Sequence, residues 1–93
     1  MKNGSIYKIK FSKQAIKDKE KLKKSNLDKT AKEILNLMMI DPFCYPPAYE
    51  KLVGRLSKYY SRRINREHRI VYRVDDKLKE VYIIRMWTHY DKV

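Results

Sequence analysis

Cysteine, glycine and acid are what this chain is short of, and each shortage excludes something. A single cysteine, Cys44, permits no internal disulfide, so a reducing cytoplasm is the expected compartment. That cysteine and two histidines have no paired-ligand spacing, so neither a metal nor another cofactor is expected. Two glycines and three prolines in 93 residues argue against a long disordered or low-complexity segment, and the chain has no phosphate-cradling glycine loop and no nucleophile elbow. No apolar run reaches the roughly 18 residues of a spanning helix, and the N-terminus lacks the apolar core of a signal peptide, so no membrane partner is expected. Only 11 acidic residues face 23 lysines and arginines, a net charge of +12. Such an excess suits a polyanion such as RNA or an acidic protein that neutralises it, and lysines kept merely for solubility would give it too.

What is present is enough for one modest core. The chain is 43% hydrophobic, and residues 1–93 read as a single domain without repeats. Residues 6–11 alternate as a strand, with Tyr7, Ile9 and Phe11 on one side. Ser12 then stands as an N-cap, with Phe11 and Ile16 at staple positions. The helix it opens carries Ala15, Ile16 and Leu22 among many lysines. The stretch Ser25-Asn26-Leu27-Asp28 has capping spacing and starts a second helix, whose core stripe is Leu27, Ala31, Ile34, Leu35 and Met38. Asp41-Pro42 stops it. Residues 42–54, with three prolines, read as a long loop, and a last strand covers 78–88. The fold class is α+β: strand, helix, helix, then three antiparallel strands, with the helices on one face of a small sheet.

The richest stretch is 59–74, YYSRRINREHRIVYRV, with five arginines, three tyrosines and a histidine in 16 residues. It alternates and breaks once, at Asn65-Arg66-Glu67, so it reads as a β-hairpin. With that turn Ile64 faces His68, and Arg63 faces Arg69. A second turn centred on Lys77 sets Arg69 opposite Arg85. Opposed residues share a face. Tyr60, Ile64, Ile70, Tyr72, Val74, Tyr82, Ile84 and Met86 then meet the helices. Arg63, Arg69, Arg73, Arg85, Trp87 and His89 take the other side, with His68 on the helix side or at its rim. A one-residue bulge would exchange these assignments.

Arginines, a histidine and a carboxylate suit RNA cleavage without a metal. A base takes the ribose 2′-OH proton, the oxygen attacks the adjacent phosphorus, and an acid protonates the leaving 5′ oxygen. Arginine stabilises the added charge, and tyrosine or tryptophan stacks splayed bases. A non-catalytic RNA-binding sheet needs the same basic and aromatic residues, and composition alone does not separate the two.

The segment 56–72, LSKYYSRRINREHRIVY, together with His89-Tyr90, resembles the Txe/YoeB toxins of type II toxin–antitoxin modules, within the RelE-like group. The SRRI, EHR and IVY pieces match in order and spacing, and length and element order agree over the whole chain. The resemblance implies a ribosome-dependent mRNA endonuclease. Such toxins cut the codon in the A site of the 70S ribosome without a metal and leave a 2′,3′-cyclic phosphate. It also implies a cognate antitoxin, binding of operator DNA only as the toxin–antitoxin complex, and possible homodimers. By position, Glu50 corresponds to the general base, Arg69 to the transition-state arginine and His89 to the general acid. Tyr90 and Arg63 correspond to substrate-binding residues, with Arg73 further along the same face. The chain departs from the pattern at two points. It continues past the His-Tyr pair through Asp91-Lys92-Val93. Val53 also stands where relatives tend to have a lysine three residues after the glutamate, and Lys51 is the candidate substitute. The readings from other classes are a non-catalytic RNA- or ribosome-binding module, and an inactive toxin relative that works through its antitoxin.

Overall fold

A computed structural model describes residues 6–87. The order is β1 (Lys8–Phe11), α1 (Lys13–Lys24), α2 (Asp28–Ile40), β2 (Glu50–Lys51), a 3-10 turn at Gly54–Leu56, β3 (Tyr60–Arg63), β4 (Arg69–Asp75) and β5 (Glu80–Arg85). The strands form one sheet in the order β1-β5-β4-β3-β2. Only the β1–β5 pair is parallel. The α+β architecture is as the sequence implies, with one addition. The 42–54 stretch is not all loop, because Glu50 and Lys51 pair with Ser61 and Tyr60 as the edge strand β2.

The helices start and stop for local reasons. Ser12 Oγ accepts from the Ala15 amide at 3.0 Å, the expected N-cap, and its own hydroxyl donates to the Ile84 carbonyl at 2.8 Å, which ties the cap to β5. The stripe of α1 differs from expectation. Ile16 is 54% exposed, and the inward positions are Ala15, Asp18 and Leu22. The second cap also differs. Ser25 closes α1 instead of opening α2, Asn26 takes φ +59, and the Leu27 amide returns to the Leu22 carbonyl at 2.8 Å. That is the bonding of a left-handed helix stop, a conformation asparagine tolerates. Leu27 precedes α2 with no side-chain cap. The α2 stripe packs as its period requires, with Ala31, Ile34 and Met38 buried and Leu27 and Leu35 partly so. The helix ends at Asp41, which is extended ahead of Pro42.

Register decides which sheet face meets the helices. The first hairpin matches expectation: Arg63 pairs Arg69, the Ile64 amide bonds the His68 carbonyl at 2.9 Å, and Asn65 Oδ1 accepts from the Glu67 and His68 amides. The second hairpin does not. Asp75 pairs Glu80, so the loop between them holds an even number of residues, 76–79, and a turn centred on Lys77 needs an odd one. Val81 and Ile83 therefore face the helices with Val74 and Tyr72, in place of Tyr82 and Ile84. An irregularity between Val71 and Tyr72 then sets Val71 opposite Arg85, with Ile84 as the extra residue. Parity is restored beyond it, and Met86 returns to the core. Trp87, expected on the arginine side, packs against the core and stacks on His68 at 3.9 Å.

Asp18 anchors this junction. It is fully buried and accepts from the Met86 amide at 2.9 Å, Gln14 Nε2 at 3.1 Å and Arg85 Nε at 3.0 Å. Burial alone drives its acidity toward the neutral form. The Met86 amide, Gln14 and Arg85 outweigh that, so the carboxyl stays below its ordinary value.

Candidate active site

Alternation in β3 separates two neighbouring arginines. Arg62 pairs Ile70 on the helix side, and Arg63 pairs Arg69 on the other. Two guanidiniums directly opposed in a ladder repel, so the arrangement favours an anion between or above them. One strand away Glu50 pairs Ser61 and joins the same face. Arg69 Nη1 lies 3.7 Å from Glu50 Oε1, an ion pair longer than a hydrogen bond. Arg69 is largely buried, whereas the Glu50 side chain is 57% exposed. These residues line a pocket of about 420 Å³ with Pro47, Ala48, Tyr49, Ser61 and Arg63. Two cations and one carboxylate leave it net positive.

The loop that carries Glu50 into place is held from beneath. Arg62 is 1% exposed and donates to three carbonyls of that loop: Pro47 at 2.6 Å, Pro42 at 2.7 Å and Cys44 at 3.0 Å. Its guanidinium lies 4.9 Å from the centre of the Tyr49 ring and 5.9 Å from that of Tyr72. The Tyr72 hydroxyl adds a bond to the Pro42 carbonyl at 3.1 Å. Phe43, Tyr49, Tyr60 and Tyr72 form a run of ring contacts between 5.0 and 6.0 Å. Burial pushes the Tyr72 hydroxyl up to about 12, against the opposing pull of Arg62. The chain leaves this cluster as β2, and the Leu52 amide extends the pairing to the Tyr59 carbonyl at 3.0 Å.

Of the residues singled out from sequence, the fold brings Glu50, Arg63 and Arg69 to one pocket. Lys51 pairs Tyr60, so alternation puts it on the opposite face from Glu50, and it is absent from the pocket lining. Arg73 shares the face of Arg69 but sits 4.3 Å over the Tyr82 ring, outside the lining. His89 and Tyr90 lie outside the described residues. Sequence reading passed over Ser61 and the loop-holding role of Arg62. The signal for Arg62 was available: a charged residue in phase with Tyr60 and Ile64 must be buried and needs acceptors. Nothing in the alternation marks Ser61, since serine suits either face.

A family model described as the YoeB-like toxin of bacterial type II toxin-antitoxin system matches residues 11–90. The Toxin YoeB of Mycobacterium bovis is 45% identical over 65 residues, 67% of this chain and 74% of that protein. Among solved structures, the YoeB/ParE toxin from Agrobacterium tumefaciens superposes with a TM-score of 0.81 at 27% identity, covering 89% of this chain and 99% of that one. The heterotetrameric YoeB-YefM toxin-antitoxin complex from Staphylococcus aureus contains a chain 36% identical, with a TM-score of 0.76 and coverage of 90% and 98%. The match extends over the strands that build the pocket. The chain belongs to the YoeB-like toxins of bacterial type II toxin–antitoxin systems.

Proposed function

We propose that this toxin is an mRNA endoribonuclease that acts on the A-site codon of the ribosome by acid–base catalysis without a metal. One observation carries the reading: a solvent-accessible carboxylate, Glu50, shares a pocket with two directly opposed guanidiniums, Arg63 and Arg69. Glu50 removes the proton of a ribose 2′-OH. The freed oxygen attacks the adjacent phosphorus, and Arg69, with Arg63, neutralises the charge that gathers on the non-bridging oxygens. His89 returns a proton to the departing 5′ oxygen. The products are a 2′,3′-cyclic phosphate and a 5′-hydroxyl end. Tyr90 places the substrate. Free enzyme is expected to be slow, because the ribosome supplies the in-line geometry that an open pocket does not.

The partners follow from charge and kinship. The excess of cations suits mRNA and the rRNA of the A site, and it suits an acidic antitoxin. The Staphylococcus aureus relative is held by YefM and is also known as a dimer. A cognate antitoxin, operator binding through the joint complex, self-association and a cytoplasmic site of action are expected here on that likeness. The test is mapping of mRNA 5′ ends after induction, wild type against Glu50→Ala and His89→Gln. New ends within codons for the wild type and none for the variants are expected. Ribosomes that stall with no new ends would replace the enzyme with a binding module.

A further inference from the structure

Ser61 lines the pocket at 2% exposure, and its Oγ has no hydrogen-bond partner among the described residues. A buried hydroxyl without a partner is a cost that alanine at the same position would remove. The neighbours show what the hydroxyl can reach. Across the ladder on one side is Val71, fully buried and without a polar side-chain atom. On the same face, Arg63 and Arg69 offer only donors. On the other side Ser61 is paired directly with Glu50, the one carboxylate among the described residues that line the pocket. Directly paired residues hold their Cβ atoms about 4.5–5.5 Å apart, within reach of a serine–carboxylate hydrogen bond. In the resting structure Glu50 instead leans toward Arg69 at 3.7 Å.

We propose that Ser61 is a positioning residue: its hydroxyl takes hold of the Glu50 carboxylate once a phosphate occupies Arg69. This rests on the ribonuclease reading and deepens it. Arg69 cannot serve the phosphate and restrain Glu50 equally well. As the guanidinium turns to the phosphate, the carboxylate loses the ion pair it makes with Arg69. A base on a half-exposed side chain then wanders unless a second donor fixes one oxygen and leaves the other aimed at the 2′-OH. The Ser61 O–H is that donor.

The experiment is single-turnover cleavage of mRNA on programmed ribosomes, with wild type, Ser61→Ala, Glu50→Gln and the double variant. Ser61→Ala is expected to slow cleavage about tenfold, the loss of one hydrogen bond to a charged group. Its thermal midpoint should hold or rise, because the orphan hydroxyl is gone. In the Glu50→Gln background the same substitution should cost little, since the two act as one unit. A wild-type rate for Ser61→Ala overturns the proposal. So does an undiminished tenfold loss in the Glu50→Gln background, which would make Ser61 independent of the carboxylate. If the wild type itself cleaves nothing, the ribonuclease reading falls and takes this inference with it. A cleaving wild type with an indifferent Ser61→Ala removes this inference alone.

Discussion

Arg62 and Arg63 are consecutive in β3 and live in opposite settings. Arg62 is sealed among rings and three loop carbonyls, and none of its hydrogen bonds goes to a carboxylate. Arg63 is exposed, faces Arg69 and borders an open pocket. One face of the hairpin buries its cation in architecture, and the other presents its cations at the pocket. The contrast teaches that a run of arginines in sequence is not a binding patch. Only those out of phase with the hydrophobic alternation are available to a ligand. It also predicts a separation: substitutions on the pocket face should change cleavage and spare stability, and those on the helix face should do the reverse.

Arg69→Ala should give the largest effect. Removing one preorganised donor from a developing charge costs about 10²–10³-fold in rate, on the order of 3–4 kcal/mol. Cleavage on programmed ribosomes measures it, and a thermal midpoint close to wild type is expected alongside. A variant that unfolds would break the comparison, because it would make Arg69 as architectural as Arg62.

Arg62→Leu should reverse the pattern. It strands the Pro42, Cys44 and Pro47 carbonyls and leaves the rings around a smaller side chain. Removing the buried cation relieves its own desolvation, but three lost charge-assisted bonds outweigh that relief, for a net loss of about 3 kcal/mol. Urea unfolding checks the figure. RNA binding by the folded fraction should remain near wild type, because Arg63 and Arg69 are intact.

How much of this was legible in the sequence follows from the same separation. The hydrophobic periods of α2 and the first hairpin are strong and local, and they placed Arg63 opposite Arg69. Glu50 was the opposite case. Two residues of edge strand give no period, and only the family likeness singled it out before the pairing with Ser61 appeared. The face of β5 was misread over Val81 and Ile83, since that strand is apolar at nearly every position and its phase is set by loop length and a bulge. Asp18 was invisible for a related reason. A carboxylate on a helix among lysines looks solvated until the Met86 amide and Arg85 arrive from a strand 67 and 68 residues away.

Asp18 carries the next prediction. Its pKa is lower when folded than when unfolded, because the Met86 amide, Gln14 and Arg85 hold the ionised form against the cost of burial. A depressed carboxyl stabilises above the unfolded value, near 4, and that contribution is lost as pH falls through the folded value. Stability of the wild type should therefore drop between about pH 4 and the folded value. Asp18→Asn should be about 2 kcal/mol weaker at pH 7, with a flatter response below pH 4. Denaturant midpoints at pH 7, 4 and 2.5 compare the two. An unchanged acid response in Asp18→Asn would move the acid sensitivity elsewhere.

The smallest effect is expected from Tyr72→Phe, which removes one oxygen from the helix face and leaves its ring in the stack. The Tyr72 hydroxyl donates to Pro42, a carbonyl that Arg62 already serves. One acceptor bond lost from a doubly bonded carbonyl amounts to about 1 kcal/mol, well below the Arg62→Leu loss. The pH dependence has the opposite sign to that of Asp18. Burial holds the phenol up to about 12, so its bond is fully present below pH 10 and is lost as pH rises toward 12. In an absorbance titration of the eight tyrosines, Tyr72 should ionise late, and Tyr72→Phe should remove that late step. Cleavage should stay within about twofold of wild type, because Arg62 alone still holds the loop that delivers Glu50. A tenfold loss of cleavage with little change in stability would instead mean that the buried cluster sets the geometry of Glu50 to within the reach of one hydroxyl. The two faces of the hairpin would then be coupled through the loop rather than independent.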